Sequence, residues 1–292
     1  MPAFDAGEFV AAAIRSVIDQ TMDDWELLVA DDGSTDATVA IAAGFGDDRI
    51  RILRATHSGL PAVGRNRAFR EARGELIALL DADDIWRPDK LRRELEILAQ
   101  RPDVGVVHTR ADIISGDVVE HSTAGSGAAS IWPTFQDLLR SNRVLNSSAM
   151  LRRELFEQHG LFDEDPRLRG TEDYEFWLRV APHTRFAFLD EPLLLYRDHP
   201  RGISKRVDEI ELGVLLAQER NLNRYPEERR RADPGVLATI GALRCIYGLA
   251  GRGRPELLAS ARREPWRLRT WKWLVLSLFP GGWLSRLRRP NP

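Results

Sequence analysis

Cysteine is almost absent: Cys245 stands alone in 292 residues. This excludes an internal disulfide framework and a cysteine-rich zinc site. Its neighbours Leu243 and Ile246 point to a buried helix position rather than a nucleophile. The chain does not open with a basic region followed by an apolar run, so it carries no signal-peptide pattern. No stretch reaches the roughly 18–20 apolar residues needed to span a bilayer. The histidines at 57, 108, 121, 159 and 183 show no metal-ligand spacing. Strong net charge is lacking too. The formal balance is −2, but residues 232–292 hold eleven Arg/Lys and three Asp/Glu, or +8, which leaves −10 on residues 1–231. An acidic body is not built for nucleic acid. What is present is hydrophobic content of 43 %, ample for a sizeable core.

Asp81-Ala82-Asp83-Asp84 carries the most chemistry. It follows Glu75–Leu80, which reads as a buried strand, so its carboxylates fall at a strand's C-terminal end, where open α/β sheets place ligands. Three acids in four residues repel unless a cation or solvent compensates. Oxygen donors of this kind suit Mg²⁺ or Mn²⁺ shared with a phosphate. An acidic helix-start loop accounts for the same residues. A second acidic turn, Asp31-Asp32-Gly33-Ser34-Thr35-Asp36, follows the strand Trp25–Ala30. Two strand–acid–helix junctions in one half of a parallel sheet share an edge. One then serves a base or ribose, with Asp32 accepting hydrogen bonds, and the other serves phosphate. Gly33 permits a tight turn, and Ser34 or Thr35 can cap the next helix.

Elements alternate through the first half. Helices are expected at 8–20, 35–43, 62–73 and from Pro88 to about Gln100, with strands at 25–30, 50–53, 75–80 and 104–108. That pattern predicts a mostly parallel, doubly wound α/β sheet. The second half is less regular. Residues 122–130 read as a mobile loop, 146–151 as a returning strand, 153–159 as a short helix, and 186–189 and 193–196 as two strands. Thr171 can cap a helix beginning Glu172-Asp173, and helices fill much of 205–262.

In order along the chain stand Pro2-Ala3-Phe4-Asp5, Asp31–Asp36, Gly64-Arg65-Asn66, Leu80–Asp84, Gly160–Glu164, Glu172-Asp173 and Tyr196-Arg197-Asp198-His199. This ordered set resembles inverting family 2 glycosyltransferases of the GT-A fold. The resemblance implies a GT-A domain over 1–204, with a nucleotide-sugar half at 1–110 and an acceptor half at 111–204, and a helical extension at 205–292. It implies that Ala3, Phe4, Asp31, Asp32, Arg65 and Asp81 line the nucleotide-sugar site. Asp83, with Asp81 and His199, would hold Mn²⁺ or Mg²⁺, and Asp84 would orient the loop or start the next helix. Asp173 would be the general base, with Glu172 its rival. The implied reaction passes a sugar from a nucleotide-sugar, UDP-linked by preference, to a hydroxyl of a glycan or lipid-linked saccharide of a cell envelope, in the cytoplasm or at the inner face of the plasma membrane. Two alternatives are a non-catalytic sugar-nucleotide or glycan-binding protein and a sugar nucleotidyltransferase. The latter would favour a Gly-rich phosphate loop with a lysine near the N-terminus, and none is visible.

The chain departs from the family pattern at its start. An apolar strand normally precedes the segment matching Pro2-Ala3-Phe4-Asp5, whereas here Met1 stands at its end, so the natural start is expected upstream; a truncated, weakened protein is the alternative. Asp5 replaces a common Asn, keeping hydrogen-bond acceptance but losing amide donation. At the other end, Trp266, Trp271, Trp273 and Trp283 interleave with Arg267, Arg269, Lys272, Arg286, Arg288 and Arg289. The run Trp273–Phe279 is too short to cross a bilayer. Residues 266–292 are expected either to lie on an anionic membrane surface or to dock as a helix on the domain.

Overall fold

A computed structural model describes residues 1–116, 118–121 and 129–278. The chain opens with β1 (Pro2–Ala3), α1 (Val10–Ile18), β2 (Leu27–Asp31), α2 (Thr38–Ala43) and β3 (Ile50–Arg54). The three strands form one parallel sheet in the order β1-β2-β3, with Ala3 level with Asp31 and Leu27 with Ile50. Helix α1 buries Val10, Ala13, Ile14 and Val17, the stripe that a 3.6-residue period brings to one side. The Met1 carbonyl accepts from Ala30 N at 2.7 Å.

Next come α3 (Pro61–Glu71), β4 (Leu76–Ala78), β5 (Ile85–Trp86), α4 (Lys90–Gln100), β6 (Val104–Ser115), β7 (Val118–Glu120) and β8 (Ala129–Ile131). After α5 (Phe135–Arg140) follow β9 (Ala149–Arg152), α6 (Glu154–His159), α7 (Glu172–Val180) and β10 (Arg185–Arg197). The second sheet runs β4-β9-β6-β10-β5, with β7 on β6 and β8 on β10. The expected α/β architecture is present, but the mostly parallel sheet expected from the sequence is instead mixed. Among the described residues, only β6 and β10 pair in parallel in the second sheet; every other pairing there is antiparallel. Hydrophobic runs mark strands without marking their direction. Direction here follows from short returns, such as α5 before β9, in place of full helical crossovers.

The two late strands expected at 186–189 and 193–196 are one strand, β10. Its pairing with β6 shifts register on both sides of Pro192, which has no N–H for the ladder. The loop expected at 122–130 lies mostly outside the described residues.

From Ile203 onward every described element is helical: α8 (Val207–Arg224), α9 (Pro226–Arg231), α10 (Pro234–Ile246), α11 (Ala250–Arg263) and α12 (Leu268–Leu276). These helices are not an isolated appendage. Leu215, Leu222, Leu237 and Ile240 share a buried cluster with Leu138, Leu151, Phe176 and Trp177. Cys245 is fully buried within α10 against Ala250 and Leu257. Among the described residues, no helix is long and apolar enough to cross a membrane.

Candidate active site

Sheet edges and helix starts bring the two acidic turns and the Glu172-Asp173 pair around one cleft. Asp31 ends β2, and Asp32 follows it. Asp32 Oδ1 accepts from Ser58 N and Oγ, and Oδ2 from Gly59 N, each at 2.9 Å. His57 Nδ1 lies 3.0 Å from Oδ2. Burial alone would raise the Asp32 pKa, but these hydrogen bonds and His57 outweigh it, and the pKa is lowered. Gly33 makes the close approach possible: its φ is +77°, and a Cβ there would lie 2.8 Å from His57 N. Phe4 stacks on the His57 ring with centroids 4.0 Å apart. Ala3 is buried, and its carbonyl accepts from Asp32 N at 2.8 Å. Ala3, Phe4, Asp31 and Asp32 therefore stand together at the ends of β1 and β2. His57 joins them, and nothing in its sequence spacing marked it.

Gly64-Arg65-Asn66 divides its work three ways. Gly64 lets α3 sit close to Pro2 and Ala30. Asn66, fully buried, donates to the Phe162 carbonyl and Glu164, and accepts from Phe162 N, pinning the Gly160–Glu164 segment. Arg65 spans the cleft floor. It donates to Asp81 Oδ1 at 2.6 Å and to Glu172 Oε1 at 2.5 Å, with its side chain 9 % exposed.

The Asp81–Asp84 turn is held by residues that a strand reading of 146–151 concealed. Asn146 donates to Asp81 Oδ1, and Ser147 Oγ accepts from Asp81 N at 3.0 Å. Both lie in a 3₁₀ turn ahead of β9. Asp84 is buried and accepts from Arg197 N at 2.9 Å, so it orients the loop and does not start α4. Asp83 Oδ2 sits 2.9 Å from His199 Nε2. Burial first, then the Asp81 charge, raises the Asp83 pKa, and His199 opposes the shift. The His199 ring packs against Phe9 at 4.8 Å, and its buried Nδ1 has no hydrogen-bond partner among the described residues.

Asp83 and His199 thus offer one oxygen and one nitrogen donor side by side, with Asp81 two residues away. Among the described residues, no group of three His, Cys, Asp or Glu converges for a metal. Two protein donors still fit Mg²⁺ or Mn²⁺ of the kind that takes its remaining ligands from phosphate and water.

On the facing side, α7 begins at Glu172. The Thr171 hydroxyl does not cap it; it turns back to the Leu168 carbonyl at 3.0 Å. Glu172 instead reaches back itself, Oε2 accepting from Gly170 N at 2.6 Å. Gly170 has a φ of +77°, and a Cβ would meet Ile203 at 2.5 Å. Both Glu172 oxygens are therefore engaged. Asp173 accepts from Tyr174 N at 2.7 Å, and its pKa is raised from 3.8 to about 7, by burial first and the Glu172 charge second, against the pull of Arg65. The helix start does not win this balance. A trench of about 520 Å³ lined by Leu139, Ile210, Val214, Val236 and Ile240 shares no residue with the cleft.

A model of Glycosyl transferase family 2 matches residues 1–160. The chain is 30 % identical over 286 residues to the succinoglycan biosynthesis protein ExoO of Rhizobium meliloti, covering 91 % of this chain and 81 % of that one. It is 32 % identical over 180 residues to the Escherichia coli UDP-Glc:alpha-D-GlcNAc-diphosphoundecaprenol beta-1,3-glucosyltransferase WfgD, covering 62 % of this chain and 67 % of that one. The fold is similar to that of Staphylococcus aureus TarS 1–349 in complex with UDP-GlcNAc, with a TM-score of 0.64, 16 % identity and 90 % of each chain covered.

Proposed function

This chain belongs to glycosyltransferase family 2 and passes a sugar from a nucleotide-sugar to a glycan or lipid-linked acceptor; we propose that the donor is UDP-linked, that Asp173 is the general base, and that Asp83 and His199 hold a divalent cation. The family membership leaves no room for the nucleotidyltransferase reading. One observation carries the assignment of the base: both oxygens of Glu172 are engaged, by Arg65 and Gly170 N, while its neighbour Asp173 has its proton affinity raised to about 7. A group poised near neutrality is suited to accept a proton from an attacking hydroxyl.

In this reading Phe4 offers a face to the base, and Asp31 and Asp32 frame the pocket. Arg65 holds Asp81 toward the ribose and diphosphate. The acceptor hydroxyl gives its proton to Asp173 as its oxygen bonds the anomeric carbon. The bond from that carbon to the diphosphate oxygen breaks, and its electron pair leaves with the diphosphate. A single displacement inverts the anomeric centre. A Mn²⁺ or Mg²⁺ ion bound at Asp83 and His199 would supply charge neutralisation for the departing diphosphate.

The uridine preference is supported by the UDP-Glc named for the E. coli relative and the UDP-GlcNAc bound to TarS. That relative's diphosphoundecaprenol acceptor and the succinoglycan role of ExoO support an envelope or exopolysaccharide glycan carried on lipid at the cytoplasmic face of the plasma membrane. Calorimetry with UDP, GDP, ADP and CDP in Mn²⁺ tests the donor class: UDP binding at least about tenfold tighter supports it, and equal affinities or a purine preference would overturn it.

A further inference from the structure

We propose that the outward face of α12 is a docking surface for an anionic phospholipid bilayer, a step that rests on the reading of a lipid-borne acceptor and names the surface that meets the lipid.

Helix α12 has two unlike faces. Its inner face carries Thr270 and Ser277, both fully buried, with Trp273 and Leu274 packed toward α10 and α11. Its outer face carries Leu268, Trp271, Val275 and, in the turn that follows, Leu278. These are 80, 45, 55 and 70 % exposed. At about 100° per residue the four fall within an arc of roughly 80°. Nothing among the described residues covers them. Trp271 brings no unsatisfied polar group to that face, because its indole N–H donates to the Pro265 carbonyl at 2.8 Å.

Charge selects the occupant. No Asp or Glu occurs from Pro265 to the C-terminus, a stretch with six Arg or Lys. Lys272 and Arg269 are exposed beside the apolar arc. Arg267 stands on its other side, already paired with Glu264. A tryptophan and aliphatic stripe edged by cations matches the interface of an anionic leaflet, where the apolar groups enter the headgroup boundary and the cations stay among phosphates. A second copy of the same face would set these cations against one another. The seating is shallow, consistent with a helix of 9 residues that cannot span.

The test is co-sedimentation of the full chain with phosphatidylcholine vesicles with and without phosphatidylglycerol. The chain should sediment with the anionic vesicles only, and less so in high salt. The exposed pair Trp271→Gln/Val275→Gln should weaken binding at least about tenfold, and Arg269→Glu/Lys272→Glu by a similar factor. Calorimetric UDP binding, measured on the same variants without vesicles, should stay within about twofold of the parent. Loss of vesicle binding with UDP binding intact assigns the surface. Unchanged sedimentation of both variants, or no sedimentation of the parent, overturns the proposal. So does a dimer abolished by Trp271→Gln/Val275→Gln, which would give the face to a second copy. The UDP arm keeps the outcomes separable: vesicle binding that persists in a chain blind to UDP removes the donor reading and leaves the surface.

Discussion

Arg65 joins Glu172 to Asp81: one guanidinium reaches both carboxylates, at 2.5 and 2.6 Å. The start of α7 is thereby tied to the end of the strand that carries the acidic turn. Glu172 is the member of the pair fixed by this tie, and Asp173 is the member without a direct bond to Arg65. Two adjacent acids become chemically distinct because only Glu172 is bonded directly by the buried Arg65 guanidinium, while Asp173 has one backbone N–H from Tyr174.

The acid limb of catalysis should follow Asp173. With its pKa raised to about 7, kcat/KM should rise with pH and level off above neutrality. Glu172→Gln removes the neighbouring negative charge that helps to raise this pKa, so the limb should move to lower pH. Rates measured across pH 5–9 check this; a limb unmoved by Glu172→Gln would disconnect it from Asp173.

Stability should show the same group with the opposite sign. Asp173 binds its proton more tightly folded than unfolded, so its contribution is least unfavourable below the unfolded value of 3.8. Stability is then lost as pH rises, with the full cost present above about 7. Asp173→Asn should raise Tm at pH 8 and have little effect at pH 4. Differential scanning calorimetry at the two pH values measures it, and a lower Tm at pH 8 would count against a half-buried carboxylate that is costly to ionise.

Cation binding should depend on Asp83 and His199 together. Asp83→Asn should nearly abolish the Mn²⁺-dependent part of UDP affinity, and His199→Ala should weaken it by roughly tenfold or more. Calorimetry with and without Mn²⁺ separates that part from the rest. An unchanged Mn²⁺ effect in both variants would remove these residues from the cation.

Asn66 should be structural rather than chemical. Asn66→Ala leaves the buried N–H and carbonyl of Phe162 without their partner, costing about 2 kcal/mol. Urea unfolding gives the value. A loss below about 0.5 kcal/mol would mean that another group takes over those bonds.

Much of this was legible in the sequence where local pattern and chemistry coincide. The strands before Asp31 and Asp81 were marked by apolar runs, and the helix at Glu172 by its acidic first turn. Cys245 was readable as a core residue from its apolar neighbours, whereas for Asp84 loop orientation and a helix start both stood open. The direction of strands was not legible, because an apolar run reads the same both ways; the mixed second sheet follows from that. The Asn146–Ser147 support of Asp81 was hidden inside an apparent strand. His57 and Asn66 act through partners 25 and 96 residues away, which no local pattern records. The balance at Asp173 between helix start and neighbouring charge needed the Arg65 geometry.

The most direct measurement is single-turnover transfer by Asp173→Asn and Glu172→Gln, with donor affinity measured on the same folded proteins. Asp173→Asn should bind the nucleotide-sugar nearly as the parent does and transfer its sugar roughly 10²–10⁴-fold more slowly. Glu172→Gln should lose stability and keep transfer within about tenfold, because the amide still bonds Arg65 less strongly. Near-normal transfer by Asp173→Asn, or a larger loss from Glu172→Gln than from Asp173→Asn, would contradict Asp173 as the base.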